Sequence, residues 1–211
     1  MPGILAIWND IEDAVVETYE RWLVSEHIPE RLAVPGFLEA RRYEAVRGGL
    51  RYFVSYTVSS PEVLTSPAYL ARLAAPTPLT REVMAGFRNM TRSACTLAYR
   101  SPGEAVGGYA VTGYALQPAA LDAAALLDAA AAIARDPRVV CAQVWRAVHR
   151  PGEAVSSEAK LRPGGDRSIE AALVVEVMRE ADALALEDSV RAAMPMQTAV
   201  YRFLGLWRAP R

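Results

Sequence analysis

Cysteine and histidine are scarce in this chain of 211 residues, which contains two of each. Cys95 and Cys141 are too few and too far apart in sequence for a disulfide framework or a cysteine-rich zinc site. We therefore expect two reduced, buried thiols. The two histidines, His27 and His149, cannot form a three-histidine zinc site, so the sequence predicts no metal site.

An excess of charge of one sign is also missing. The chain has 23 basic and 24 acidic residues, and its formal net charge is −1. A protein that binds nucleic acid neutralises phosphates with clustered lysine and arginine. The near balance of charge therefore argues against nucleic acid as the main partner.

Long hydrophobic runs are absent as well. The longest apolar tract, residues 115–134, is rich in alanine and is interrupted by Pro118, Asp122 and Asp128, so no membrane-spanning segment is predicted. The first ten residues lack the basic region and the apolar stretch of a signal peptide. We expect a cytoplasmic protein.

Four common catalytic motifs do not occur. The sequence has no G-x-G-x-x-G after a strand, no G-x-x-x-x-G-K-[ST] phosphate loop, no H-E-x-x-H and no G-x-S-x-G. Nucleotide-dependent enzymes and the classical hydrolases are therefore not supported.

The patterning of apolar residues predicts the same order of elements, β-α-β-β-α-β, in both parts of the chain. In the first part, Pro and Gly residues separate the predicted elements. These are a strand at 4–8, a helix at 11–27, a hairpin at 37–46 and 50–58, helical segments at 59–76 and 78–90, and a strand at 93–101.

The second part repeats this order without detectable sequence identity to the first. Its predicted elements are strands at 107–117, 138–150, 168–178 and 197–209, helices at 119–136 and 180–194, and a polar loop at 151–167. A Gly-rich segment at 100–108 separates two units, which we place at 1–103 and 104–211.

Each unit matches a ferredoxin-like split β-α-β motif, whose four-stranded sheet has helices on one face only. The bare face must be covered, and the second unit offers an equivalent face. We predict an α+β fold with two tandem ferredoxin-like repeats whose sheets face each other as a fused dimeric α/β barrel. Two separate domains on a flexible linker are the alternative.

One stretch of the first unit resembles a known superfamily. Trp22 on the first helix is followed by His27, by Pro29, and by Pro35-Gly36 before the predicted strand "FLEARRYE". This pattern is similar to that of the dimeric α/β-barrel superfamily, of the EthD-like and stress-responsive type. The resemblance covers residues 1 to about 100. It implies cofactor-free or loosely cofactored chemistry on small, often aromatic or polyketide-like molecules: monooxygenation, isomerisation, decarboxylation or cyclisation. Because the superfamily also includes haem enzymes, haem ligated by His27 or His149 stays possible, although no cofactor is predicted.

The end of the first helix contains the candidate catalytic pair, Glu26 and His27. A regular helix places Glu26 on the same stripe as Tyr19 and Trp22, facing the sheet, with His27 beside that stripe. A buried carboxylate there needs a partner or a polar ligand. One reading is structural: a salt bridge between Glu26 and an arginine of the next strand, with His27 capping helix carbonyls. The other is proton transfer by His27, oriented by Glu26. The resemblance implies a ligand-facing histidine on this helix, so the structural and the catalytic interpretation are equally supported.

Further residues are predicted to contact a substrate. Asn9 and Arg92 offer polar groups to a carbonyl or an anion, although Asn9 could equally cap the first helix and Arg92 could be solvated. Strand aromatics are more often core than pocket wall. The predicted contacts are Trp8, Asn9, Trp22, Arg42, Tyr43, Tyr56, Tyr69, Asn89 and Arg92.

The second unit has fewer chemically active residues. Its first helix is mostly alanine and leucine, His149 is expected to be solvated, and Glu170 and Glu176 are expected to face solvent. We predict a scaffold role for this unit. The whole chain is predicted to bind a small apolar or aromatic carbonyl or hydroxyl compound and to act as a cofactor-independent isomerase, lyase or cyclase. A monooxygenase, or a non-catalytic binding barrel, is the alternative, and a homodimer is possible.

Overall fold

Eight antiparallel strands form a closed barrel in the computed structural model, which describes residues 1–103, 105–148, 156–194 and 197–210. The strands are β1 (Gly3–Ile11), β2 (Phe37–Arg47), β3 (Tyr52–Val58), β4 (Phe87–Arg100), β5 (Tyr109–Leu116), β6 (Val139–Ala147), β7 (Ile169–Val177) and β8 (Gln197–Arg208). Their order around the barrel is β1-β3-β2-β8-β5-β7-β6-β4. The α+β class and the barrel are therefore as predicted.

The relative strand order is the same in the two parts of the chain. The first four strands lie side by side as β4-β1-β3-β2 and the last four as β8-β5-β7-β6. Two further ladders, β2 with β8 and β4 with β6, join the two groups of four edge to edge. The barrel thus closes without leaving an open strand edge between the groups.

Seven α-helices lie in the described residues: α1 (Val16–Trp22), α2 (Ile28–Leu32), α3 (Pro67–Ala74), α4 (Pro78–Ala85), α5 (Ala123–Ile133), α6 (Ser157–Lys160) and α7 (Glu180–Ala193). A π-helical turn, Leu23–His27, connects α1 to α2, and 3-10 turns occupy Asp13–Val15 and Pro61–Thr65. Within this part of the chain, no helix is long and apolar enough to cross a lipid bilayer.

Strand alternation divides the apolar residues into three clusters. On β1, Leu5 faces the helices α1, α2 and α4, whereas Ile4 and Trp8 face the barrel interior. A separate cluster packs α5 and α7 against the outer face of the last four strands. The barrel interior is therefore a packed aromatic and aliphatic core with a cavity beside it, which Tyr43, Trp145 and Glu176 help to line. Another cavity lies between the first four strands and their helices.

The structure corrects several predicted boundaries. Strand β1 continues to Ile11, so Asn9 is a strand residue and does not cap a helix. Helix α4 ends at Ala85, and β4 begins at Phe87, so Asn89 and Arg92 lie within the strand. Gly86 ends α4, and Phe87 and Arg88 directly after it already pair with β1.

The two halves also contact each other through ion pairs. Glu176 was predicted to face solvent, but its carboxylate is 1% exposed and faces the barrel interior. It accepts two hydrogen bonds from Arg41, at 3.0 and 3.1 Å, and one from the Tyr43 hydroxyl at 2.7 Å. This cluster links β2 to β7 across the barrel.

Candidate functional site

A cavity lies between the outer face of the first-half sheet and the helices α1, α2 and α4. About 460 Å³ of space there is not filled by protein atoms, and part of that space is open to solvent. Its lining residues are Leu5, Ile7, Asn9, Tyr19, Trp22, Leu23, His27, Arg31, Val54, Tyr56, Tyr69, Met84, Phe87, Met90, Arg92, Glu158 and Arg162.

The π-helical turn directs His27 into this cavity. In a π turn the backbone bond joins residues five apart, and the Ile28 N–H donates to the Leu23 carbonyl. Residue 27 therefore stacks above residue 22, and the His27 and Trp22 rings have centroids 4.2 Å apart. Pro29 explains the wider turn, because it cannot donate to the carbonyl four residues before it. Ser25 donates from its hydroxyl to the Arg21 carbonyl at 2.7 Å, which satisfies a further backbone acceptor in the same stretch.

The imidazole of His27 is neutral at pH 7. Burial lowers its pKa well below the ordinary value, and the positive charges of Arg31, Arg162, Arg92 and Arg72 lower it further. Its side chain is 8% exposed. Burial and the guanidinium groups oppose formation of the imidazolium by itself, but the same guanidinium groups favour a negative charge that forms beside it, so the neutral imidazole can accept a proton as part of an ion pair.

Three arginines reach the cavity from different elements. Arg31 on α2 pairs with Glu158 on α6, and Arg162, which follows α6, pairs with Asp166. Arg92 on β4 donates to the hydroxyl of Tyr69 at 2.7 Å. In the described residues no carboxylate is paired with Arg92, so this end of the cavity has a net positive charge.

Three polar atoms of lining side chains have no hydrogen-bond partner in the described residues: Nδ1 of His27, Nη1 of Arg31 and the hydroxyl of Tyr56. Each buried polar atom left in this way costs about 1–3 kcal/mol of folding free energy. Burial also raises the pKa of the Tyr56 hydroxyl, so this group stays protonated and can donate a hydrogen bond. Unpaired polar atoms that surround one cavity are typical of a site that a ligand completes.

Aromatic rings form the opposite wall of the cavity. The ring centroids of Tyr19 and Phe87 are 5.6 Å apart, and those of Trp22 and Phe87 are 6.1 Å apart, both edge to face. Burial raises the pKa of Tyr19 to about 12, so its hydroxyl is also protonated at neutral pH. This wall suits a planar, apolar ring.

Glu26 does not line the cavity, contrary to the regular-helix prediction. Its carboxylate accepts hydrogen bonds from the hydroxyls of Thr77, at 2.5 Å, and Thr80, at 3.0 Å, at the start of α4. The Thr80 hydroxyl in turn accepts the indole N–H of Trp22 at 3.0 Å. Glu26 therefore holds Trp22 in place through Thr80, and its partner is a threonine pair, not an arginine.

Four more of the predicted contacts lie elsewhere. Trp8 and Tyr43 belong to the core inside the barrel, because their strands direct them inward. The Arg42 guanidinium pairs with Glu20 at 2.5 Å and lies 5.6 Å from the centre of the Tyr19 ring, so it supports the wall from outside. Asn89 is exposed and donates to Asp10 at 2.8 Å. The predicted residues that do line the cavity are Asn9, Trp22, His27, Tyr56, Tyr69 and Arg92.

The cavity is also lined by Tyr19, Arg31, Glu158 and Arg162, which the sequence did not indicate as members of a site. Arg31 follows His27 by four residues on the next helical turn, which is a local signal that could have identified it. Glu158 and Arg162 come from the polar loop of the second half. The segment that contains them returns to β4, where the Arg92 N–H donates to the Arg167 carbonyl at 2.9 Å. No local pattern indicates that contact.

The described residues near His27 lack the hydrogen-bond acceptor that usually orients a metal-binding histidine. A histidine that binds a metal through one ring nitrogen donates with the other to a carboxylate or carbonyl, and Nδ1 of His27 has no such partner in the described residues. Throughout the part of the chain that the structure describes, no three His, Cys, Asp or Glu side chains form a metal-binding group. His149 lies outside the described residues.

Comparison with known proteins gives a family match and several similar folds. Residues 3–97 match a domain of unknown function, DUF4286. No curated protein matches the chain in sequence. The fold is similar to that of an anthrone oxidase-like protein, with 13% identity, a TM-score of 0.62, and coverage of 100% of this chain and 94% of the other.

Two further solved structures have the same fold. A candidate monooxygenase from Lactobacillus acidophilus NCFM shares 9% identity, with a TM-score of 0.56 and coverage of 99% and 96%. A chlorite dismutase variant from Candidatus Nitrospira defluvii shares 10% identity, with a TM-score of 0.53 and coverage of 97% and 91%. At these identities the likeness establishes the fold alone.

Proposed function

We propose that this protein is a fusion of two ferredoxin-like repeats, 1–103 and 104–211, and that the cavity of the first repeat binds a small aromatic compound with a carbonyl or hydroxyl group. The single observation that supports this best is the neutral His27 imidazole beside an aromatic wall and three guanidinium groups. A base and a cationic environment for the anion it creates are together what proton abstraction next to a carbonyl needs.

The proposed reaction is a proton transfer without a cofactor. The His27 imidazole removes a proton from a carbon next to the substrate carbonyl, and the electron pair of the broken C–H bond moves onto the carbonyl oxygen. The Tyr56 hydroxyl and the Arg31 guanidinium, whose Nη1 has no other partner among the described residues, stabilise that oxygen. Return of the proton to another atom completes an isomerisation, and loss or attack of a neighbouring group gives a lyase or cyclase.

Glu26 has a positioning role in this proposal. It acts on Trp22 through Thr80 and does not transfer a proton to the substrate. The second repeat supplies Glu158 and Arg162 to the cover of the cavity, which is more than the scaffold role that the sequence suggested.

The alternative is a cofactor-independent monooxygenase. The proteins of similar fold that are named as an anthrone oxidase-like protein and a candidate monooxygenase favour it. The same first step would apply, since a deprotonated, electron-rich ring can itself supply electrons to dioxygen. A binding protein without catalysis is the remaining reading, and it predicts affinity without turnover.

Anthrone is a suitable probe, because its carbonyl acidifies the protons of its ring methylene group. We expect the protein to accelerate exchange of these protons for deuterium in anaerobic D2O, followed by NMR. Replacement His27→Ala should lower the enzyme-catalysed rate by about 10²–10⁴-fold, because the base is lost, with little change in affinity measured by tryptophan fluorescence.

The matched control is Glu17→Ala, at an exposed position of α1, and it should leave the exchange rate unchanged. Oxygen uptake under air would favour the monooxygenase alternative. Equal exchange with and without His27 would refute its role as the base, and binding of anthrone without any exchange would leave only the binding protein.

A further inference from the structure

The arginine-rich end of the cavity has an imbalance of charge. Two of its guanidinium groups, Arg31 and Arg162, each pair with one carboxylate, Glu158 and Asp166. The third, Arg92, donates to the neutral hydroxyl of Tyr69 at 2.7 Å, and no described residue pairs a carboxylate with it. Burial disfavours the charged form of Arg92, and Tyr69, Asp166 and Glu158 offset this and raise its pKa, but neither carboxylate forms an ion pair with it.

Two hydrogen-bond donors in the lining of the same cavity are also unpaired in the described residues. Nη1 of Arg31 and the hydroxyl of Tyr56 have no partner in the described residues, and both side chains line the same cavity. Arg31 lies 5.9 Å from the centre of the Tyr69 ring, whose hydroxyl contacts Arg92. The guanidinium groups of Arg92 and Arg31 therefore both lie beside Tyr69.

Donors and positive charge at one place recognise an oxygen that carries negative charge. Among the described residues at this end, the carboxylates of Glu158 and Asp166 are already engaged by arginine, so they do not offer free acceptors to a cationic ligand. The aromatic side chains of Trp22 and Phe87 form another part of the cavity wall, where an apolar ring can pack.

We propose that the ligand of this cavity is an aromatic acid, whose anionic oxygen binds Arg92 together with Arg31 and Tyr56 while its ring packs on Trp22 and Phe87. This rests on the proposed function, since it specifies the compound that the same cavity takes. The anionic oxygen comes from a carboxylate or from an acidic ring hydroxyl. Both place one negative charge on oxygen at neutral pH, and the donors found here suit either source.

The test compares ligands of the same shape that differ in charge. Naphthalene-2-carboxylate and its neutral carboxamide are titrated against the protein by tryptophan fluorescence and calorimetry. We expect the carboxylate to bind about tenfold more tightly or better, as for a charge-assisted hydrogen bond that replaces a neutral one. A nitrophenol, titrated below and above its own pKa, tests whether an acidic hydroxyl is preferred to a carboxylate.

Replacement Arg92→Met should abolish the preference for the anion, whereas Arg92→Lys, which retains the charge, should keep part of it. Arg88→Met is the matched control on the same strand, because Arg88 pairs with Glu12 and does not line the cavity. Thermal unfolding of each variant shows whether it is folded before its affinity is compared.

The possible results separate the two proposals. Equal affinity for carboxylate, carboxamide and nitrophenolate, or an anion preference that survives Arg92→Met, would overturn the aromatic acid while leaving an aromatic ligand in the cavity. Failure of every aromatic probe, charged or neutral, to bind would overturn the proposed function itself.

Discussion

The His27 imidazole is a buried group whose pKa is lowered by loss of hydration and by four nearby guanidinium groups. In the unfolded chain the same imidazole has an ordinary pKa near 6.5. As the pH falls below that value, the unfolded chain takes up a proton that the native protein does not bind. Native stability attributable to His27 is therefore fully present above pH 6.5 and is lost as the pH falls toward the native pKa.

This linkage can be measured by urea unfolding at pH 7.5 and pH 5.5. Because one proton is involved, the native protein should lose about 1.4 kcal/mol more unfolding free energy between these pH values than His27→Gln does. The comparison cancels the other titrating groups, which are shared by both proteins. An equal loss in the two proteins would mean that folding does not lower the pKa of His27, and the description of its imidazole as buried among positive charges would fail with it.

Glu26 illustrates how far residue-level reasoning from sequence extends. The sequence correctly required a partner for a carboxylate on the sheet-facing side of the helix. It indicated an arginine of the next strand, but Thr77 and Thr80, about fifty positions away, supply the hydrogen bonds. Hydroxyl donors of this kind have no distinctive spacing in sequence, so only the packing of α4 against α1 identifies them.

At the scale of secondary structure, the π-helical turn determines which of two adjacent residues enters the cavity. A period of 3.6 residues places Glu26 above Trp22, whereas the turn at Leu23–His27 places His27 there. The rest of the helix was predictable because its apolar residues follow a regular period. The turn was not, although Pro29 is the local signal for it.

Replacement Pro29→Ala tests this account. Alanine restores the N–H that proline lacks, so a regular α-helix through 23–29 becomes favourable. We expect His27 to leave the cavity and its pKa to rise toward the ordinary value, as followed by NMR titration of one of only two histidines. Catalysed anthrone exchange should fall along with that change.

The control for Pro29→Ala is Pro67→Ala, because Pro67 stands at the first turn of α3, where no backbone donor is lost. It should leave the His27 titration unchanged. If Pro29→Ala also leaves the titration unchanged, the π turn does not depend on this proline.

The segment around α6 shows where prediction of elements from sequence ends. The strands of both halves were found because their apolar residues alternate, and the order of elements was found with them. Residues 151–167 have no such pattern and were predicted to be a polar loop. Glu158 nevertheless reaches Arg31, which is 127 positions earlier in the chain. A contact of this range depends on how the two halves assemble, which local sequence does not encode.

At the scale of the whole molecule, two strand ladders join the halves and close the barrel. A buried ion pair inside the barrel connects the halves a second time. Arg41 of β2 and Glu176 of β7 have side chains 11% and 1% exposed, and Tyr43 donates to the same carboxylate. Removal of one member of such a pair leaves the other charge buried and uncompensated, which is more costly than the pair is stabilising. We therefore expect the pair to make the two halves unfold together.

The ion pair of Arg41 and Glu176 can be tested by substitution of its acidic member. Replacement Glu176→Gln should lower the free energy of unfolding by about 1–3 kcal/mol, because the Arg41 guanidinium then keeps only the more exposed Glu39 as its anionic partner. Glu39→Gln is the matched control: Glu39 contacts the same guanidinium at 2.6 Å but is 18% exposed, so its loss should cost no more than about 1 kcal/mol. Urea unfolding followed by both circular dichroism and tryptophan fluorescence should give one coincident transition for the native protein and for both variants. Separate transitions for the two probes would show that each half is stable without the other. An equal loss of unfolding free energy for Glu176→Gln and Glu39→Gln would show that the buried position of the Glu176 carboxylate adds nothing to stability.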